Sequence, residues 1–207
     1  MHIRHFILTI LVLLFVCSTY GQKKFKVVMT ETETWQELYS LVDEKGKTIC
    51  KLDSSKYYIC FTIDSYGYFA IFGMKGFTGW AAINADEKVL FNVYNTSFGE
   101  PSPDHLIENK IRITDSSDLI GFANYKGQIV IKPQFEIATN FDKGKAIVGQ
   151  SCKKIPWGEH AKDSDCHHYS VVCKRHGYIN EKGTIIKIGD FSFEQIMKEI
   201  NWKAPDE

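Results

Sequence analysis

Short runs of alternating apolar and polar residues occur through most of the chain, and one such run returns several times. It begins at Tyr39, Trp80, Ile120 and His176, and each time an apolar segment leads through a polar turn into a second segment. Alternation over about four to eight residues is typical of half-buried β-strands. The pattern therefore predicts about four degenerate copies of a β-hairpin unit.

The turn of each copy carries its own signal. Its first residue is always Asp or Asn, whose side chain can accept a hydrogen bond from the backbone two residues further on. In three copies a Gly follows, and Gly readily adopts the positive φ that closes such a turn with a G1 bulge. The turn residues are Asp43 with Gly46, Asn84 without a Gly, Asn124 with Gly127, and Asn180 with Gly183.

The units predict a stacked β architecture. Behind the third copy, a second turn at 142–144 and the apolar run 145–148 indicate a third strand. A unit of about three strands cannot bury its apolar face alone, whereas stacked units can. We expect a mainly β fold in which antiparallel hairpin units stack into a meandering sheet, a solenoid or a barrel-like body. Whether that body closes stays open at this point.

The C-terminal segment has a different periodicity. Ser192, followed three residues later by Gln195, has the form of a helix-capping box. We expect a short helix that covers the last edge strand, because an exposed sheet edge invites aggregation. Residues 22–190 would then form one β-repeat domain, and residues 191–207 the helix and tail. Four apolar residues lie at helical spacing: Phe193, Ile196, Met197 and Ile200.

The N-terminus has the form of a secretory leader. Arg4 precedes an almost wholly apolar run from Phe6 to Val16. A run of this length is shorter than the ~20 residues that span a bilayer and suits a signal peptide. We expect cleavage after residue 21 and export to the periplasm, the cell envelope or the medium, with no transmembrane segment afterwards. A lipoprotein anchored through Cys17 is the second hypothesis, disfavoured by the bulky residues before it.

Charge and cysteine content narrow the class of protein. The chain has 25 basic and 25 acidic residues, which disfavours a nucleic-acid binder. Five cysteines would remain after cleavage, and in an exported protein they favour disulfides with one thiol left over. Sequence proximity favours a bond between Cys50 and Cys60 on adjacent strands. A second bond is expected within the group Cys152, Cys166 and Cys173.

The last copy begins about 16 residues later than the spacing of the others predicts, so residues 149–175 contain an insertion. Loops that vary on a regular scaffold often carry function. We interpret the insertion as a disulfide-stapled loop, and four of its residues are the candidate ligand-binding set: Trp157, His160, His167 and His168. We expect no cofactor. The alternative is a zinc site, although the cysteine spacing differs from the usual ~2–4 residues between ligands. Its candidate ligands are Cys166, His167, Cys173 and His176.

No local catalytic motif occurs in the sequence. There is no Gly-x-Ser-x-Gly elbow, no phosphate-binding Gly-rich loop and no His-Glu-x-x-His. The first hypothesis is therefore a protein without catalytic activity. A metal- or thiol-dependent function of the insertion, at residues 152–176, is the alternative. A third is an enzyme whose residues converge from several loops.

The third copy also resembles a known repeat. It contains Gly-Phe, Asn, Lys-Gly, Ile-Val-Ile and Pro-x-Phe in order, and then Phe-x-x-Gly-x-Ala-x-Val. In this form residues 120–148 resemble the WG-repeat family, and residues 176–186 carry the front half of another unit. Only Trp80 keeps the Trp that gives the family its name. The resemblance implies a bacterial, often exported, mainly β protein with a binding role and no catalytic residues. Its partner would be another protein or an envelope component.

Overall fold

The computed structural model describes residues 22–96, 102–156 and 169–205. Within these ranges the chain forms three antiparallel sheets, and inside each sheet the strands pair in their order along the chain, whereas β3 does not pair with β4, nor β10 with β11. The expected mainly β fold is confirmed, and each sheet is an open meander with two edge strands. The expected signal peptide, residues 1–21, lies outside the described residues.

The sheets differ in size. The first contains β1 (Phe25–Glu31), β2 (Glu37–Asp43) and β3 (Thr48–Lys51). The second contains β4 (Tyr57–Cys60), β5 (Ala70–Met74), β6 (Trp80–Ile83), β7 (Val89–Val93), β8 (Lys110–Thr114), β9 (Ile120–Asn124) and β10 (Ile129–Phe135). The third contains β11 (Ile137–Ala138), β12 (Lys145–Pro156), β13 (Tyr169–Asn180) and β14 (Ile185–Gly189), and is followed by helix α1 (Phe193–Ile200).

The four predicted turns share one geometry. In each, the Asp or Asn side-chain oxygen accepts hydrogen bonds from the backbone N–H groups two and four residues on, at 2.8–3.0 Å. The strand pairing shifts register just beyond every turn, as a bulge requires. The predicted glycines have positive φ, and in the copy without Gly the same place is taken by Glu87, with φ 57°. The repeat is therefore a repeat of one local geometry.

A fifth turn of this kind was not predicted. Asp115, between β8 and β9, accepts hydrogen bonds from the backbone N–H groups of Ser117 and Leu119 at 2.9 and 3.1 Å. Asp118 supplies the positive φ, at 59°. The segment has no Gly and no Lys-Gly pair, so the sequence signal that identified the other turns is missing here.

Three apolar cores hold the sheets together. The first lies between the first sheet and strands β4 and β5, and includes Phe25, Leu41 and Phe72, all at most 1% exposed. The second is formed by residues of β5 to β9, and Trp80 belongs to it. The third joins β9 and β10 to the third sheet. Each fully buried side chain of this size contributes about 1.5–3 kcal/mol to folding, so the first and third cores fix the sheets relative to one another, and the second stabilises the second sheet itself.

The helix is capped as predicted but docks elsewhere. The Ser192 side chain accepts a hydrogen bond from the Gln195 backbone N–H, and the Gln195 side chain accepts one from the Ser192 N–H. The helix packs on β12 and β13 instead of covering the last edge strand, β14. The reason is Ile196, which is 0% exposed and needs an apolar face that an edge does not offer. A 2.6 Å ion pair between Lys187 and Glu199 links the helix to β14.

Candidate functional site

The insertion between the third and fourth copies is strand on both of its described flanks. Strands β12 and β13 pair in one register from Lys145 opposite Asn180 to Pro156 opposite Tyr169, with a break at Ser151 and Lys174. Their inner halves are buried in the third core, whereas their outer halves extend beyond it. We call the outer part, residues 151–156 and 169–174, the β-arm. The expected loop is corrected in this respect: its flanks continue the sheet, and Ile155, Tyr169, Val171 and Val172 are residue types that favour strands.

A disulfide crosses the base of the β-arm. Cys152 and Cys173 lie directly opposite each other on the two strands and are bonded. This confirms the expectation of one disulfide within the group that also includes Cys166. Gly149 makes room for it, because a Cβ at this position would lie 2.8 Å from the Cys173 sulfur. The bond joins the strands where the sheet leaves the core.

At the base of the β-arm, the carboxylate of Glu136 binds the backbone of β12. Glu136 accepts hydrogen bonds from the backbone N–H groups of Ser151 and Cys152, at 2.8 and 2.7 Å. Ser151 has a φ of 55°, which turns both N–H groups to the same side. Hydrogen bonds to an ionised acceptor are stronger than those between neutral groups. Glu136 therefore fixes the direction in which the arm leaves the body.

The surface of the β-arm is apolar and basic. Four of its apolar side chains are 42–53% exposed: Ile155, Tyr169, Val171 and Val172. Its charged residues are all lysines: Lys153, Lys154 and Lys174. The Lys154 ammonium lies 4.9 Å from the centre of the Tyr169 ring and 3.6 Å from the Asp118 carboxylate. Partial burial opposes the charge of Lys154, but Tyr169 and Asp118 outweigh it and raise its pKa.

Of the other residues expected at the site, some lie outside the described ranges and two make contacts that do not involve a metal. Trp157, His160, Cys166, His167 and His168 lie outside the described residues. Two members of the alternative zinc set are occupied by other contacts. Cys173 is in the disulfide, and a disulfide sulfur is not the thiolate that zinc requires. His176 is 9% exposed and its Nδ1 lies 2.9 Å from the carbonyl oxygen of Phe191, so it joins β13 to the segment before α1.

The expected bond between Cys50 and Cys60 is wrong: both are free thiols. Cys50 lies on β3 opposite Leu41, whereas Cys60 lies on β4 opposite Phe72, in a different sheet. Adjacent strands in sequence are here not neighbours in a sheet, so the two side chains meet the first core from separate layers.

The thiols of the first core resist ionisation. Burial, followed by the nearby Glu87 carboxylate, raises the pKa of Cys50 to about 11. Burial also raises the pKa of Cys60. Tyr57 donates a 3.4 Å hydrogen bond to Glu87, and burial together with that charge raises its pKa to about 12. Because the thiolate is the reactive form, these surroundings make poor nucleophiles of both cysteines.

A buried ion pair was not anticipated. Asp104 is 1% exposed and accepts hydrogen bonds from Arg112, at 2.8–3.1 Å, and from the Asn140 amide at 3.2 Å. It joins the segment before β8 to the segment between β11 and β12. In sequence Asp104 is one acidic residue between Pro103 and His105, and nothing local distinguishes it from a surface carboxylate.

A group of aromatic side chains lies near β4, at the edge of the second sheet that is farthest from β10. Phe61, 42% exposed, packs edge-on against Trp80 with ring centres 4.5 Å apart. Tyr58 lies over Gly73, where a Cβ would be 2.6 Å from its ring. The indole N–H of Trp80 is buried, and the described residues offer it no hydrogen-bond acceptor. The Trp that links this copy to the repeat pattern is therefore a core residue, 6% exposed.

The described residues contain no cluster of three or more His, Cys, Asp or Glu side chains that could hold a metal ion. No helix within the same ranges is long and apolar enough to cross a membrane.

Comparison with known families supports the repeat. The model of the WG containing repeat matches residues 120–151, which run from β9 to the base of the β-arm. The resemblance of the third copy is thus confirmed. No curated protein and no solved structure shows significant similarity to the chain. The match ends at Ser151, the first residue of the β-arm, so the arm begins where the repeat pattern stops.

Proposed function

We propose that the chain is a non-catalytic binding module and that the β-arm contacts its partner, which is another protein or a component of the cell envelope. The carrying observation is the exposure of Ile155, Tyr169, Val171 and Val172 on a ribbon that projects from a well-packed body. Exposed apolar clusters of this kind mark interaction sites on soluble domains. A stapled ribbon also presents them with little conformational entropy to lose on binding.

Export is part of the proposal. The leader-like residues 1–21 support it, and so does the disulfide between Cys152 and Cys173, because disulfides persist in oxidising compartments and are rare in the cytosol. The periplasm, the envelope surface and the medium all satisfy this condition.

The alternative is a zinc- or thiol-dependent function of residues 152–176, and its zinc site requires two changes in the described structure. Zinc bound by the proposed set would need Cys173 as a thiolate and His176 released from the carbonyl of Phe191. Metal content measured on protein purified without chelators separates the two hypotheses. If the wild type holds one zinc per chain and the variants Cys173→Ser and His176→Gln hold none, the metal site would replace the binding proposal.

The main test removes the β-arm and leaves the body intact. Residues 152–173 are replaced by Asn-Gly, which favours a tight hairpin between Ser151 and Lys174. Immobilised wild-type and shortened proteins are then exposed to the native envelope fraction. A matched control carries Lys45→Gln and Lys47→Gln in the first hairpin turn. We expect the shortened protein to lose its partners while the control keeps them.

Folding of the shortened protein is checked by near-UV circular dichroism and by its unfolding temperature. If a folded, shortened protein still captures the same partners as the wild type, the β-arm is not the binding surface. The exposed aromatic rings of Tyr58 and Phe61 would then be the next surface to test.

A further inference from the structure

Each copy of the repeat contains three strands in the structure. A leading strand precedes the predicted hairpin and pairs with it, so the four copies are β1–β3, β5–β7, β8–β10 and β12–β14. In the first, third and fourth copies, the leading strand begins opposite the Asp or Asn of the turn. In the second copy the pairing begins one residue later, at Ala70. Equivalent positions can therefore be matched from one copy to the next.

The turn of each later copy packs on the last strand of the copy before it. The contact is made by the residue three positions after the Asp or Asn of the turn. The three contacts are Glu87 with Cys50, Gly127 with Leu90, and Gly183 with Ile131. At both glycines a Cβ would lie 2.7 Å from a methyl group of the preceding copy. The side chain of one copy therefore fills the space that the turn glycine of the next copy leaves.

A second contact joins the same pairs of copies. The residue directly after the Asp or Asn of each later turn meets the preceding copy at or next to the start of its leading strand. Ala85 shares the first core with Phe25, the rings of Tyr125 and Tyr68 lie 6.0 Å apart, and Glu181 forms a 2.7 Å ion pair with Lys110. The chemistry is matched at every junction: apolar with apolar, aromatic with aromatic, and acid with base.

The two ends of this series lack the first contact. At the first turn, residues 44–48 are exposed, and a Cβ at Gly46 would meet no atom of the described chain within 4 Å. At the other end, Ile186 lies six residues after the Asn of its turn, as Leu90 does, and is 53% exposed. Lys187 beside it pairs with Glu199, but α1 itself packs on β12 and β13. A terminal repeat normally has a polar outer face, which Ile186 does not provide.

The two ends also carry the charges of the junction between the third and fourth copies. Glu44 has in the first turn the place that Glu181 has in the fourth. Lys145 begins β12 as Lys110 begins β8. Within the described ranges the Lys145 ammonium forms no ion pair. Glu44 lies 3.4 Å from Lys24 with 61% of its side chain exposed, and an exposed pair of this kind is weak.

We propose that a second copy of this chain continues the series head to tail. The first turn of one molecule packs on β14 of the next, where Ile186 fills the space at Gly46 and Lys145 pairs with Glu44. The new junction thus repeats both contacts that join the copies within the chain. Because it uses two different surfaces, it produces rings or open chains of molecules. It does not involve the β-arm and goes beyond the proposed function.

Two variants each block one end with neutral side chains, so that no new ion pair can form. The head variant carries Glu44→Gln and Gly46→Asn. Asn adopts a positive φ more easily than other residues with a side chain, and here it occupies the space that would receive Ile186. The tail variant carries Lys145→Gln and Ile186→Gln. Near-UV circular dichroism establishes that both variants are folded.

Sedimentation velocity measures the mass of the purified, disulfide-intact protein over about a hundredfold range of concentration. The matched control changes an exposed isoleucine and an exposed lysine away from both ends, Ile129→Gln and Lys132→Gln. We expect the mass of the wild type and of the control to increase with concentration. Each end variant alone should associate at least about tenfold more weakly. An equal mixture of the two should form dimers that do not grow, because one intact head meets one intact tail.

Three results would overturn the inference. The first is a wild type that stays monomeric over the whole range. The second is equal association of the wild type and both end variants, because another surface would then be responsible. The third is an associating wild type whose folded end variants form no dimer when they are mixed, which would exclude the head-to-tail arrangement.

Discussion

Asp104 and Arg112 form an ion pair in the protein interior. The Asp104 carboxylate accepts hydrogen bonds from the Nε and Nη2 atoms of Arg112, at 3.1 and 2.9 Å, and its side chain is 1% exposed. The guanidinium also donates to the carbonyl of Ala138 and lies 4.5 Å from the centre of the Tyr94 ring. The pair thus joins β8 to the chain segments that lead into the third sheet.

Removing the Asp104 charge should destabilise the fold strongly. Asp104→Asn leaves the Arg112 guanidinium buried without its counter-ion, and breaking such a pair costs about 3–5 kcal/mol. Lys24→Gln, which breaks the exposed pair with Glu44, should cost less than about 1 kcal/mol. Urea unfolding of both variants measures how much each substitution lowers the free energy of unfolding. Similar midpoints would mean that water reaches Asp104 in solution.

Two glycines should respond differently to substitution by alanine. Gly46 has a φ of 81° and open space around it, so Gly46→Ala should cost only about 1 kcal/mol of left-handed backbone strain. A Cβ at Gly177 would lie 1.8 Å from the carbonyl oxygen of Lys187, and backbone cannot move aside cheaply. Gly177→Ala should therefore cost more than about 3 kcal/mol. Equal losses in urea unfolding would show that β14 can shift.

Alkaline pH should weaken the fold through the first core. The pKa of Cys50 is raised from 9.0 to about 11 by burial and then by Glu87, and that of Tyr57 is raised from 10.0 to about 12. Below pH about 9 the folded and unfolded chains both keep these protons. As pH rises from about 9 to 11, the unfolded chain loses the Cys50 proton first. Stability must then fall, because the unfolded state binds fewer protons.

The urea midpoint between pH 8 and 11 measures this effect. Cys50→Ser is the matched control, since its hydroxyl does not ionise in this range and the decline should be shallower. Alkylation of Cys50 by iodoacetamide should increase over the same range, and Glu87→Gln should make it reactive at lower pH. Identical pH profiles for wild type and Cys50→Ser would contradict the assignment.

Loss of the disulfide should loosen the β-arm before it unfolds the body. A two-stranded ribbon without a core is marginally stable on its own, and a bond across a loop of this length contributes up to about 3 kcal/mol. In Cys152→Ser, Cys173→Ser we expect amide exchange in residues 153–155 and 171–174 to increase at least about tenfold. The amides of β6 and β9 serve as the internal reference. Equal acceleration there would mean that the disulfide stabilises the whole fold.

Local structure was predictable because its causes are local. The four predicted turns need only an Asp or Asn side chain and backbone groups two and four residues away, and the capping box of α1 needs only Ser192 and Gln195. Where the local signal was absent the prediction was incomplete. The turn at Asp115 has no Gly. Asp118 adopts the positive φ instead, and the packing of the rest of the fold offsets the backbone strain of this conformation.

The sequence by itself determined the period, the turns, the strand content and the cap, since each follows from residues a few positions apart. The tertiary structure decided which strands share a sheet, and therefore that Cys152 meets Cys173 whereas Cys50 and Cys60 stay apart. It also decided that His176 bonds to Phe191, that α1 docks on β12 and β13, and that Asp104 is buried. These contacts join residues distant in sequence, and their free energy exists only after the sheets have packed.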